Sequence, residues 1–216
     1  MGNLRAAVNQ AMAICWDEGY GYELGGTATS HANGVDCSGL INRVLHDNGF
    51  DYPASHVGTK YMESYLRTAG FNIINVTSLS WLNNNIKPGD IVVMNHYPIG
   101  EGGHTFIYME NIRAYTDYSA DSDHIGTVSR AKVEAASSRG ETSQGDHRKN
   151  GTGAYWEVWC HAYYELCPGY DPTDPNDEIY IARWPGGLED IFILKRIRDG
   201  QFNFDSWTNK YTDFGI

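Results

Sequence analysis

Asp36-Cys37-Ser38-Gly39-Leu40-Ile41 is the stretch from which the rest of the chain can be read. Asp36 is a good helix N-cap, because its carboxylate can accept hydrogen bonds from the free backbone N–H groups that follow. Leu40, Ile41, Val44 and Leu45 recur on one helical face, and Gly49 after Asn48 suits the position just past a helix end. The spacing therefore predicts a helix with Cys37 in its first turn, at the positive pole of the macrodipole. That field favours thiolate over thiol. A cysteine placed there is a candidate nucleophile, provided a histidine comes close. The competing reading is a small buried core residue, the common fate of a free cysteine.

Working outward, residues 4–18 read as an amphipathic helix, with Leu4, Ala7, Val8, Ala11, Met12, Ile14 and Cys15 on one side. The run Gly19-Tyr20-Gly21-Tyr22-Glu23-Leu24-Gly25-Gly26 is a loop. It is not a phosphate loop, since no Gly-Lys-Ser/Thr follows. Its glycines let the backbone pass close to the nucleophile or a substrate, unless the run is a plain connector. Downstream, Thr59 to Ala69 reads as a helix capped by Thr59, striped by Tyr61, Met62, Tyr65 and Leu66, and stopped by Gly70. Phe71 to Val76 is a strand. Lys87-Pro88-Gly89-Asp90 is a turn, and Ile91 to Met94 a short buried strand. The loop Gly100-Glu101-Gly102-Gly103 then delivers His104 to the first position of a strand running to Met109, giving an antiparallel pair. Ala131 to Ala136 is the next strand. Glu178–Trp184 and Asp190–Ile197 close the chain around the Pro185-Gly186-Gly187 turn. Helices come first and strands later, so the class is α+β. One domain is expected over residues 1–216, with insertions at 111–130 and 139–178.

The totals exclude several functions. The 216 residues carry a net charge of −11 with no basic stripe, which argues against nucleic acid and against anionic membrane surfaces. No run of about 18 apolar residues is present, so no membrane span is expected. Met1-Gly2-Asn3-Leu4-Arg5 runs straight into the first helical pattern without a signal-peptide core, so synthesis in the cytoplasm is expected. Cys15, Cys37, Cys160 and Cys167 show neither zinc spacing nor a disulfide framework. No cofactor and no metal are expected.

A cysteine amidase or peptidase needs a thiolate, a base for the thiol proton, and a third group that orients the imidazole. Cys37 at a helix start and His104 at a strand start meet if the helix packs across the sheet. The orienting group should lie on the strand beside that of His104, where Glu134 is the best-placed candidate; otherwise it is a solvated strand carboxylate. His96, His124, His147 and His161 fall in loops or in the late aromatic segment.

Asp36-Cys37-Ser38-Gly39, followed by Gly89-Asp90-Ile91 and Gly103-His104-Thr105, resembles the NlpC-like cysteine peptidase superfamily, which includes the CHAP amidases. The likeness extends to the cysteine-type peptidoglycan amidases of bacteriophages (endolysins), through Thr59-Lys60-Tyr61-Met62 and Ala69-Gly70-Phe71. It covers roughly residues 4–110, and resumes in patches at 131–140 and 178–197. The resemblance implies a papain-like fold, with Cys37 attacking an amide, His104 as base and then acid, and a third polar residue about one strand on. Glu134 takes that place. It also implies that Tyr22, in a Tyr-x-x-Gly-Gly loop, faces substrate near the nucleophile, with Asp36, Ser38 and Gly103 forming the rest of the substrate site. The implied substrate is bacterial peptidoglycan, cut at the lactyl–alanine amide or at a D-γ-glutamyl–diamino acid bond. Release to the wall through a phage-made membrane hole is implied as well, and wall affinity would come from the insertions, a partner chain or a separate module.

Other readings stay open. The chain could be a non-catalytic wall-binding module on the same fold, or a cysteine peptidase or deamidase acting on proteins. Tyr155, Trp156, Trp159, Tyr163 and Tyr164 could stack on sugars, although the spacing Tyr155, Trp159, Ala162, Tyr163, Leu166 is equally that of a helical core stripe. Cys160, His161 and Cys167 do not match a zinc pattern. The clusters Asp117/Asp121/Asp123 and Asp171/Asp174/Asp177 lack the fixed glycine and terminal Glu of a calcium loop, and read as solvated charge.

Overall fold

The computed structural model describes residues 2–16, 22–27, 29, 34–97, 102–113, 128–136, 153–159 and 169–188. Three helices precede most of the sheet: α1 (Leu4–Trp16), α2 (Cys37–Asp47) and α3 (Thr59–Thr68). The strands are β1 (Asn72–Asn75), β2 (Ile91–His96), β3 (His104–Arg113), β4 (Val128–Ala136), β5 (Gly153–Trp159) and β6 (Asp177–Arg183), with a short helix α4 (Leu79–Asn85) between β1 and β2. They form one six-stranded sheet in the order β1-β6-β2-β3-β4-β5, and every neighbouring pair is antiparallel. The class is α+β, as expected, with the helix-then-sheet arrangement of a papain-like fold.

The sheet has apolar layers on both faces, so its central strands carry continuous apolar runs. Ile91 and Val93 of β2, Ile107 of β3, and Tyr180 and Ala182 of β6 join a core built with Leu4, Val8 and Ala11 of α1, Leu40, Ile41 and Val44 of α2, and Met62 and Leu66 of α3. Val92, Met94, Phe106, Tyr108, Ile179 and Ile181 point the other way, against Leu82 of α4. The alternation is the period-two rule of a strand read on both faces. Asp90, buried in the turn before β2, ties β6 to this frame. It accepts from Arg183 Nε at 2.9 Å and Nη2 at 2.7 Å, and from Lys87 N at 2.7 Å.

Several expectations change. Thr59 is the first residue of α3 rather than its cap; Gly58 holds that position, with no side-chain cap bond. The sequence reading passed over α4, a helix of two turns whose one clear signal is Ser78 accepting from Trp81 N at 3.0 Å. Residues 111–113 and 128–130, expected within an insertion, extend the β3–β4 ladder, with a register shift between Tyr108 and Glu110. The region 139–178, also expected as an insertion, contributes β5 and the start of β6 to the sheet. Of the helical spacing that begins at Tyr155, Tyr155 and Trp159 lie in a strand, Gly153–Trp159, whose backbone pairs with β4, while Ala162, Tyr163 and Leu166 lie outside the described residues. A partner strand supplied by tertiary structure overrides a short periodic pattern. The expected strand at 190–197, Cys160, His161, Cys167 and the Asp117 cluster lie outside the described residues.

Candidate active site

The site is assembled where α2 starts against β3 and β4. Asp36 caps α2: its backbone is extended and Oδ1 accepts from Gly39 N at 2.6 Å. This places Cys37 as the first helical residue, 9% exposed. Gly39 has to lack a Cβ, since one built there would lie 1.7 Å from the carbonyl oxygen of Gly26. That carbonyl accepts from Asp36 N at 3.2 Å, and Asp36 Oδ2 accepts from Gly25 N at 2.7 Å. The Tyr22–Gly26 loop is thus stitched to the start of α2, and Tyr22 pairs with Val35 through a parallel bridge.

Tyr22 lies close enough to Cys37 to respond to it. Its hydroxyl titrates above the ordinary tyrosine range, first through burial and then through the charges of Cys37 and Asp36. It is therefore a neutral donor at neutral pH.

His104 opens β3, as expected. The residue before it is held tightly: a Cβ on Gly103 would meet Thr59 Oγ1 at 1.7 Å and Asn95 Oδ1 at 3.2 Å. The start of α3 and the end of β2 therefore press on the approach to the imidazole. His104 Nε2 lies 2.6 Å from Glu134 Oε2, and Cys37 lies near enough to raise its titration. Glu134 is 2% exposed. Burial pulls the imidazole down, but the charge and hydrogen bond of Glu134 and the nearby Cys37 outweigh it, and His104 is pushed up to about 10. The three side chains come from the start of α2, the start of β3 and the middle of β4. The imidazole thus bonds Glu134 on one side and feels Cys37 as a near neighbour.

A further residue, His56, belongs to this neighbourhood and sequence reasoning did not single it out. Its Nε2 lies 2.9 Å from Asp36 Oδ2, 3.1 Å from Oδ1, and 2.9 Å from Ser38 Oγ. Ser38 Oγ also donates to Asp36 Oδ1 at 3.1 Å. His56 lies in the irregular segment between α2 and α3, where no periodic or capping signal marks it. Asp36 and Ser38, expected at the substrate site, are 2% exposed and bonded within this cluster. His96, expected in a loop, is the last residue of β2, and its Nδ1 bonds Asp177. That pairing uses one member of the second acidic cluster, while Asp171 and Asp174 accept from Thr173 and Asn176 within the loop. Among the described residues no group of three or more His, Cys, Asp or Glu side chains is arranged to hold a metal ion, and no helix is long and apolar enough to cross a membrane.

An acyl-transfer site needs a thiol at a helix start, an imidazole close to it, and a buried acceptor behind the imidazole. All three are present. The family model described as NlpC/P60 matches residues 19–147, a span that contains Tyr22, Cys37, His56, His104 and Glu134 and ends before β5 and β6. No curated relative matches the chain. The family match spans more than half of the 216 residues, and the chain belongs to the NlpC/P60 family, a family of cysteine peptidases and amidases.

Proposed function

We propose that this chain is a peptidoglycan hydrolase that cuts an amide of the stem peptide by a thiol mechanism, with Cys37 as nucleophile. The observation that carries the reading is the imidazole of His104, 2.6 Å from the buried Glu134 and close enough to Cys37 for the thiol to shift its titration. His104 takes the thiol proton, and Glu134 fixes the ring tautomer and favours the imidazolium that results. The thiolate adds to the scissile carbonyl. The Cys37 backbone N–H, in the first turn of α2, is a donor for the tetrahedral oxyanion. Collapse of that intermediate breaks the C–N bond as His104 protonates the leaving amine. Water, deprotonated by the same imidazole, then hydrolyses the thioester and restores the thiol.

Two bonds fit this chemistry: the lactyl–alanine amide of an N-acetylmuramoyl-L-alanine amidase, and the D-γ-glutamyl–diamino acid bond of an endopeptidase. The clamped Tyr22 loop, with its hydroxyl near Cys37, supports the second. The test is digestion of purified peptidoglycan followed by mass spectrometry of the soluble products. Intact stem peptides released from glycan identify the amidase, and products cut after D-glutamate identify the endopeptidase. Cys37→Ala should abolish either product while the melting temperature stays close to wild type. A variant that still releases wild-type product removes Cys37 from the mechanism.

A further inference from the structure

Asp36 and Ser38 flank the nucleophile in sequence, and one ring nitrogen of His56 reaches them both. The arrangement superficially contains a serine, a histidine and an aspartate. It is not a second catalytic triad, because a relay needs the hydroxyl and the carboxylate on opposite ring nitrogens. Here both sit on Nε2. Ser38 is also 2% exposed, its hydroxyl engaged by Asp36 and His56.

A carboxylate only accepts, so the Nε2 facing both Asp36 oxygens carries hydrogen. His56 is the one ion-pair partner of Asp36 among the described residues; its side chain is 29% exposed and that of Asp36 3%. The remaining Asp36 bonds come from the Gly25 and Gly39 amides and the Ser38 hydroxyl. Asp36 is required where it is, because it caps α2 and holds the Tyr22 loop. Its charge is nevertheless unfavourable for a thiolate one residue away, since like charges disfavour each other's ionised form. A ring N–H turned onto that carboxylate offsets the effect, and an imidazolium offsets it more.

We infer that His56 is a positioning residue of the thiol site, which holds the Asp36–Ser38 pair in place and counters the Asp36 charge beside Cys37. The groups that bear on this balance are Asp36 and Ser38 at the start of α2, Tyr22 from the preceding loop, and His104 and Glu134 from β3 and β4. The inference rests on the reading of Cys37 as nucleophile, and the test separates the two.

The experiment follows alkylation of Cys37 by iodoacetamide, read by peptide mass spectrometry, from about pH 5 to about pH 10. The intact chain is used as wild type, His56→Ala, His56→Gln and His104→Ala. The midpoint for His56→Ala should rise by about one pH unit, with labelling at pH 7 slowed about tenfold. His56→Gln keeps an N–H donor without a charge and should fall between the two. If His56→Ala does not fold, as judged by circular dichroism, the glutamine variant decides. A wild-type midpoint in the folded His56 variants, with His104→Ala shifted, overturns the role of His56 alone. A wild-type chain that labels as an ordinary thiol, unaffected by His104→Ala, overturns the nucleophile reading and this inference with it.

Discussion

Replacing Glu134 by glutamine removes the charge behind the imidazole while holding its shape. The wild-type carboxylate is buried and lies 2.6 Å from His104 Nε2. Burial alone would hold His104 below the ordinary 6.5; the charge and hydrogen bond of Glu134 and the nearby Cys37 raise it to about 10. An adjacent opposite charge accounts for about 1–3 pH units of such a rise, or about 1.5–4 kcal/mol of preference for the imidazolium. Cys37 supplies part of the remainder, and a thiol and an imidazole close together titrate as a pair. The comparison is therefore made between Cys37→Ala and Cys37→Ala/Glu134→Gln. The imidazole of His104 is followed by NMR through the titration, and the midpoint should fall by about 1–3 pH units in the double variant. The linked effect on stability has a definite sign. The folded-state midpoint is raised, so the pair's stabilisation is fully present below about 6.5 and is lost as pH rises through about 10. Glu134→Gln should thus lower the unfolding free energy by about 3 kcal/mol near pH 6, a deficit that closes toward pH 10. An unchanged His104 midpoint, or a deficit that grows with pH, would refute the electrostatic account of the pair.

Two glycine positions give tests independent of titration. Gly39→Ala drives a methyl to within 1.7 Å of the Gly26 carbonyl, a backbone atom that cannot rotate away. It should cost about 1–3 kcal/mol in urea denaturation and slow Cys37 labelling, because the Tyr22 loop is displaced. Gly103→Ala places its methyl against Thr59 Oγ1, a side chain that can be trimmed. Thr59→Ala should recover part of the lost stability and activity, with a coupling of at least about 0.5 kcal/mol in a double-mutant cycle. Additive effects would mean that the α3 start does not press on the approach to His104.

The parts of the site that were legible in advance depend on neighbours close in sequence. The Asp36 cap reads out because its acceptor bonds the amide three residues on, and the helix face of Leu40, Ile41 and Val44 because apolar spacing is local. The apolar runs of β2 and β3 likewise declare strands buried on both faces. Glu134 could be nominated because adjacent strands place a residue beside His104, though only the β3–β4 register decides whether it reaches the ring. The Gly103-His104-Thr105 and Asp36-Cys37-Ser38-Gly39 pairing then pointed to the family that the comparison shows.

What the amino-acid order alone determined, then, is a capped helix presenting a cysteine, a strand opening on a histidine, and a helix-first α+β chain. Tertiary structure decided the rest. β6, the last described strand, inserts between β1 and β2; residues 153–159 pair with β4 as a strand at the end of the described sheet; and His56 crosses 20 residues to reach Asp36. These contacts join segments distant along the chain. Their free energy comes from shared burial and paired charges that exist only once the sheet and its helices have closed on one another.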